Sequence, residues 1–220
     1  MRRVDRLSDR VWPTVLGNVQ RTGFINELPP DEVEEAWRAE VGRGLFSPLL
    51  VDEAIVLASA GNRIIAALAP ETGEHYWERR LDGAITGGVV RRGSRVYVPT
   101  EDRNGKLYAL DLGKGGRDWS RDIGSIQFPP TLVGDAVYAA TESGELVALA
   151  ADDGSVLWRT RLSGAAAATP VTYRESILVP TRADTLYLLE RTTGTLTAQV
   201  ATRCTFRCSR VIWWRFGFRS

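Results

Sequence analysis
Apolar positions in this chain fall in short runs, rich in β-branched and aromatic residues and broken by Gly, Asp, Pro and Arg at tight-turn spacing. Two phrases alternate. One reads Ser47-Pro-Leu-Leu-Val then Ala54-Ile-Val-Leu-Ala. It returns as Gly88-Val-Val then Arg95-Val-Tyr-Val-Pro-Thr, as Pro130-Thr-Leu-Val then Ala136-Val-Tyr-Ala-Ala-Thr, and as Pro170-Val-Thr then Ser176-Ile-Leu-Val-Pro-Thr. The other is fullest in Gly144-Glu-Leu-Val-Ala-Leu, followed by Gly154 and Trp158. It also fits Gly61 to Trp77 and Gly105 to Trp119, and persists in worn form from Asp184 to Ala198, where the tryptophan is lost. In every copy the second Leu (Leu68, Leu110, Leu149, Leu189) stands five residues before the Gly (Gly73, Gly115, Gly154, Gly194). Apolar runs this short predict strands, since a helix needs about ten or more periodic residues.

Trp37, Trp77, Trp119 and Trp158 are spaced by 40, 42 and 39 residues, a period that marks propeller arrays and some helical solenoids. The strand-like runs between them select the propeller. Each period predicts four antiparallel strands; in the third they fall at roughly 130–133, 136–141, 145–150 and 155–161. Gly134-Asp135 and Asp153-Gly154 supply turns in which positive φ is cheapest for Gly or Asp. The expected fold class is therefore all-β: a propeller of four-stranded antiparallel blades at about 47–81, 87–122, 129–162 and 169–200. An entry segment spans 1–35, the repeats span 36–202, and an atypical tail spans 203–220. A lone four-stranded sheet leaves two faces uncovered, and stacking blades face to face covers them. The tryptophan of each fourth strand is expected to wedge between neighbouring blades, with small Ala and Gly residues making room for its ring.

Pro29-Pro30-Asp31-Glu-Val-Glu-Glu-Ala-Trp37 admits a helix start, with Asp31 as N-cap and Glu34 closing a capping box. A strand over 36–41 is preferred because Trp37 falls in register with the later tryptophans. It would be the outer strand of a further blade, so four repeats plus a leading outer strand are expected, an incomplete or truncated ring. Such a half-ring would have two uncovered faces and a tendency to self-associate.

Ala109-Leu-Asp111, Gly115 and Trp119 resemble the tryptophan-docking motif of quinoprotein-type (PQQ-repeat) β-propellers. The copies at Ala67, Gly73, Trp77 and at Ala148, Gly154, Trp158 match, except that Ala69 and Ala150 replace the Asp. The opening Trp12-Pro-Thr-Val-Leu-Gly-Asn-Val-Gln-Arg-Thr-Gly23 is also similar to that family's entry segment. The resemblance implies an inter-blade docking set of Trp37, Ala67, Gly73, Trp77, Ala109, Asp111, Gly115, Trp119, Ala148, Gly154, Trp158 and Gly194. It departs from the family in repeat number, because those rings commonly carry seven or eight blades.

Composition changes this picture little. At 220 residues, 44% hydrophobic and 25% charged, with net charge +1, the chain suits a globular fold, and nothing global points to nucleic acid or membrane binding. Charge is uneven, however. Five Arg and no acid lie in 203–220, which leaves the first 202 residues at −4. No run approaches the roughly 20 apolar residues of a transmembrane helix, and Met1 to Arg10 lacks the apolar stretch of a signal peptide. Localisation is thus not given by the sequence, whereas the resemblance implies an extracytoplasmic, periplasmic or outer-membrane-associated protein.

Candidate chemistry is thin. His75 is the single histidine, expected on the fourth strand of the first blade in a surface or inter-blade role. Cys204 and Cys208 are separated by three residues without further ligand pairs, so no zinc site is expected. Gly42-Arg-Gly44 lacks the remainder of a dinucleotide loop and reads as a turn. Asp52-Glu53, Glu101-Asp102 and Asp152-Asp153 are expected as solvated turn acids. No catalytic, cofactor-binding or metal residue is assigned. The resemblance leaves three readings open. The first is a non-enzymatic scaffold, similar to outer-membrane assembly propellers, that holds protein partners through loops at one end or through strand edges. The second is a quinoprotein dehydrogenase using PQQ and Ca²⁺, and the third is a sensor or carbohydrate-binding propeller.

Overall fold
A computed structural model describes residues 34–45 and 47–202. Among these residues, sixteen strands form four separate sheets, each a simple antiparallel meander. Blade 1 consists of β1 (Leu50–Val51), β2 (Val56–Ala60), β3 (Ile64–Leu68) and β4 (His75–Arg80); blade 2 of β5 (Val90–Arg92), β6 (Arg95–Pro99), β7 (Lys106–Asp111) and β8 (Arg117–Asp122). Blade 3 follows with β9 (Thr131–Val133), β10 (Ala136–Ala140), β11 (Glu145–Ala150) and β12 (Val156–Arg161), and blade 4 with β13 (Val171–Tyr173), β14 (Ser176–Thr181), β15 (Thr185–Glu190) and β16 (Leu196–Ala201). Among the described residues the arrangement is all-β and open, as the repeated phrases predict.

Burial follows the role of each strand. The middle strands are covered on both faces: β2 is buried at all five positions and β3 at four of five. Such strands read as nearly continuous apolar runs, VLASA and IIAAL, rather than as alternating ones. The fourth strands invert this. In β4 and β8 the tryptophan alone is buried while polar residues surround it. No blade has a core of its own. The apolar clusters lie between blades: Leu57, Ile65 and Trp77 with Val96, Val98 and Tyr108; Tyr97, Leu107 and Trp119 with Val137, Val147 and Leu149; Tyr138, Leu146 and Ala148 with Ile177, Val179 and Tyr187. Each blade is stable only because its neighbour covers it.

A repeated backbone bond sets how one blade follows another. The first residue after each second strand, or the next but one, donates its N–H to the connector that enters the blade: Gly61 to Gly44 (2.9 Å), Glu101 to Ala84 (2.7 Å), Glu142 to Ser125 (2.9 Å) and Arg182 to Ala165 (2.8 Å). Residues near Gly44 therefore enter blade 1 as the later connectors enter blades 2 to 4.

The leading segment differs from expectation. Residues 34–41 form no strand among the described residues. A strand needs a ladder partner, and the inner strands that would complete its blade are not among the residues described. The segment still covers the outer face of blade 1, where Trp37, Ala39 and Val41 close over Val56, Ala58, Ala66 and Leu68. One of the two faces expected to be open is thus covered by the chain itself. The entry segment around Trp12 and the tail with Cys204 and Cys208 lie outside the described residues.

Because β10 and β11 are paired on both sides and β16 is the outer strand of a blade with one covered face, native-state amide exchange should be graded. Amides of Val137, Ala139 and Leu149 are expected to exchange only through global opening, and those of β16 orders of magnitude faster. Equal protection of β16 and β11 would contradict this layout.

Candidate functional site
The features that recur at every junction are built from a turn and an indole. Between the third and fourth strands the glycine N–H donates to the carbonyl four residues back: Gly73 to Ala69 (2.9 Å), Gly115 to Asp111 (2.8 Å), Gly154 to Ala150 (2.9 Å) and Gly194 to Glu190 (2.8 Å). These glycines sit at φ +71°, +64°, +69° and +71°, a region costly for side chains with a Cβ. The carbonyl three residues before each glycine accepts the Nε1–H of the preceding blade's tryptophan or, at blade 1, of Trp37. Trp37 donates to Pro70 (2.7 Å), Trp77 to Leu112 (2.8 Å), Trp119 to Ala151 (3.1 Å) and Trp158 to Arg191 (3.1 Å).

The ring then lies on the glycine. A Cβ at Gly115 or Gly154 would stand 2.5 Å from Cε3 of Trp77 or Trp119, and Gly73 and Gly194 meet Trp37 and Trp158 in the same way. Glycine is required twice over, by φ and by contact. Within its own sheet each of the three strand-borne indoles faces a fully buried alanine: Ala67 opposite Trp77, Ala109 opposite Trp119, Ala148 opposite Trp158. A β-bulge follows each of these pairs and turns Tyr76, Asp118 and Leu157 outward. Asp111 holds its own turn, accepting the Lys114 N–H at 2.7 Å.

Two further contacts at these junctions are not singled out by the spacing of Trp and Gly. Two residues after the tryptophan, Arg79 Nε donates to the Gly115 carbonyl (2.9 Å), Arg121 Nε to that of Gly154 (2.8 Å) and Thr160 Oγ1 to that of Gly194 (2.6 Å). The repeated Trp-x-Arg at 77–79 and 119–121 was the available signal. In addition, Tyr97 donates to Ala151 (3.0 Å) and Tyr138 to Arg191 (3.2 Å), the carbonyls already used by Trp119 and Trp158. The paired rings are tilted, with centroids 5.9 and 5.8 Å apart. Burial pushes both tyrosine hydroxyls above their ordinary pKa, which keeps them protonated as donors. The Val-Tyr phrases of the sequence carried that signal.

A polar row crosses the end of the fan where connectors and second-to-third strand hairpins meet. Thr86 Oγ1 donates to Glu101 Oε2 (2.5 Å), Gln127 Nε2 to Glu101 Oε1 (3.2 Å), and Arg182 Nη2 to Gln127 Oε1 (2.5 Å). Glu101, expected as a solvated turn acid, is thus engaged across blades. Asp52 is a clearer correction. It is 6% exposed, accepts the Ala54 and Ile55 N–H groups (2.8 and 2.9 Å) and pairs with Arg91 of blade 2. A carboxylate buried at a junction needs such partners. Asp102, Asp152 and Asp153 are exposed. His75 is exposed on β4, with Nδ1 3.8 Å from Glu78 Oε2. Gly42 and Gly44 bend the leading segment at φ +51° and +71°.

A cleft of about 590 Å³ opens between blades 1 and 2, lined by Asp52, Ile55, Tyr76, Arg91 and Leu112. Among the described residues no group of three or more His, Cys, Asp or Glu side chains converges to hold a metal ion. No helix of the described residues is long and apolar enough to cross a membrane.

Four-stranded blades joined through indole, glycine and turn carbonyl define a quinoprotein-like β-propeller. The chain belongs to the family described as outer membrane protein assembly factor BamB, whose sequence profile matches residues 22–127 and 124–205. It is 30% identical over 138 residues to BamB of Burkholderia pseudomallei, covering 60% of this chain and 35% of that one. With BamB of Salmonella typhimurium it shares 27% identity over 167 residues, covering 71% and 42%. The chain thus spans well under half the length of these relatives. Among solved structures, BamB from Moraxella catarrhalis superposes with a TM-score of 0.62 at 23% identity, over 70% of this chain and 48% of that one. Quinohemoprotein alcohol dehydrogenase from Comamonas testosteroni gives 0.72 at 16% identity, over 87% and 41%. The structural likeness concerns the fold alone.

Replacing Trp119 by Ala removes a buried ring and its hydrogen bond, and should cost about 3 to 5 kcal/mol. His75→Ala should stay within about 0.5 kcal/mol. Urea unfolding of the two variants compares them; equal midpoints would contradict a docking role for the indole. Separately, hydrogen bonds from Lys106 and Tyr108, together with the Lys106 charge, hold the Asp82 carboxyl below its ordinary pKa. A depressed folded pKa gives stability that is present above the unfolded value, about 3.9, and is lost as pH falls through the folded one. Asp82→Asn should therefore flatten the acid limb of a Tm against pH curve below about pH 4 and leave the slope between about pH 5 and 8 unchanged.

Proposed function
We propose that this chain is a non-enzymatic scaffold of outer membrane protein assembly, associated with the outer membrane on its extracytoplasmic side. The observation that supports the reading most is membership of the BamB family over residues 22–205. Protein partners would be held by the loops at one end of the fan, where the Thr86–Glu101–Gln127–Arg182 row ties the loops of successive blades into one surface. Exposed strand edges offer a second means of contact. Structural neighbours that are quinoprotein dehydrogenases share the fold, but a fold carries many functions, so that likeness alone does not favour a quinone enzyme.

Two measurements on the purified chain test this. Titration with PQQ and Ca²⁺ should give no saturable quenching of tryptophan fluorescence and no dye-coupled alcohol oxidation. Cross-linking in envelope extracts should recover known outer membrane assembly proteins, and less of them from Glu101→Ala, whose row is broken. Saturable quenching with turnover would replace the scaffold by an enzyme.

A further inference from the structure
The outer rim of the fan is not uniform. Between the outer strands of blades 1 and 2 opens a groove of about 310 Å³, lined by Arg79, Arg80 and Asp82 from blade 1 and by Tyr108 and Arg117 from blade 2. Its carboxylate is already taken up. Asp82 accepts Lys106 Nζ (2.9 Å) and the Tyr108 hydroxyl (2.8 Å). Arg79 donates to the Gly115 and Lys114 carbonyls (2.9 and 3.4 Å), which hold its guanidinium in place and leave its charge. Among the described residues the side chains of Arg80 and Arg117 make no hydrogen bond or ion pair, and Arg117 meets Asp82 through charge alone. The other carboxylates of these outer strands face other groups: Glu78 stands 3.8 Å from His75, Asp118 2.7 Å from Arg95 and Asp122 3.7 Å from Lys106.

The repeat itself shows that the fold does not require this cluster. The positions of Arg79, Arg80 and Arg117 are held by Arg121, Asp122 and Val156 at the second junction, and by Thr160, Arg161 and Leu196 at the third. Those junctions dock the same indole on the same turn with one cation in the set. Like charges brought together repel, and the first 202 residues are at −4 overall. The cluster is thus neither a demand of the docking geometry nor a reflection of overall charge.

We propose that this groove binds an acidic segment of a partner protein, with neighbouring Asp or Glu side chains set on the guanidinium groups of Arg80 and Arg117. The planar fork of an arginine matches a carboxylate edge to edge. Arg79, fixed in advance, adds positive field without a further ordering cost on binding. The groove lies at the small end of ligand sites, about 300 to 1,000 Å³, which suits the side chains of a segment and not a broad surface. A membrane would meet the whole perimeter, and there β8 sets Asp118 and Asp122 beside its arginines while β16 carries no charge. The choice of a protein as occupant rests on the scaffold reading; the chemistry of the groove does not.

Fluorescence anisotropy of a labelled oligo-glutamate peptide with the full chain at low ionic strength tests this, with an oligo-glutamine peptide as its uncharged match. The glutamate peptide should bind saturably and the glutamine peptide should not. Arg80→Gln combined with Arg117→Gln should weaken binding by about tenfold or more, with Tm unchanged because both side chains are exposed. Arg159→Gln combined with Arg161→Gln removes the same charge from the rim of blade 3 and should leave binding unchanged. Absence of saturable binding overturns the proposal, and so does equal loss in the two double variants, which would mean attraction to the perimeter as a whole. Phosphatidylglycerol vesicles that sediment the parent but not the Arg80 and Arg117 double variant, where the glutamate peptide fails to bind, would give the groove to a membrane instead. Recovery of assembly proteins by cross-linking is a separate readout: if it persists while the peptide fails to bind, the groove proposal is lost and the scaffold reading is kept.

Discussion
One interaction recurs wherever two blades meet: an indole pressed on a glycine and bonded through its N–H to the carbonyl of the turn that the glycine closes. It couples sequence to architecture because each partner has a distinct requirement. The glycine must adopt positive φ and lack a Cβ, the carbonyl must be left free by the turn, and the indole must face an alanine small enough to let it lie flat. A dry ring and a satisfied donor reinforce each other, since burying an indole without a partner for its N–H would forfeit part of the gain.

Because blades have no cores of their own, stability is a sum of junctions between nearest neighbours. The junctions are not identical. The second and third add a tyrosine to the accepting carbonyl, and the first uses Leu57 at the corresponding place and adds the Asp52–Arg91 pair. Thr160 replaces the arginine in the third. Variation of this kind is tolerated because each junction needs a filled volume and paired polar groups, and several side chains meet both needs.

Much of the fold was legible in the sequence because propellers write it locally: strands of four to six residues, turns marked by Gly and Asp, and a period near forty. For the third repeat the expected strands and those observed differ by a residue at most at each end. Less legible was whatever depends on partners distant in sequence. Residues 36–41 have the composition of a strand but form none, since strand character comes from the ladder as well as from the residues. Asp52 and Glu101 look like any turn acid, and only the approach of Arg91 and Gln127 from other blades reveals their engagement. Arg79 and Arg121 look like edge charges until the carbonyls of Gly115 and Gly154 are seen beside them.

Those two arginines have a double consequence. Each directs Nε and Nη2 to turn carbonyls of the next blade, Gly115 and Lys114 for Arg79 and Gly154 and Asp153 for Arg121, at the exposed rim, so one residue fastens the junction and keeps the perimeter hydrophilic. Changes at 79 or 121 would therefore alter colloidal behaviour and folding together, and the two effects would be hard to separate by selection. Thr160 does the fastening without a charge, which leaves the rim of blade 3 dependent on Arg159 and Arg161 for its wetting.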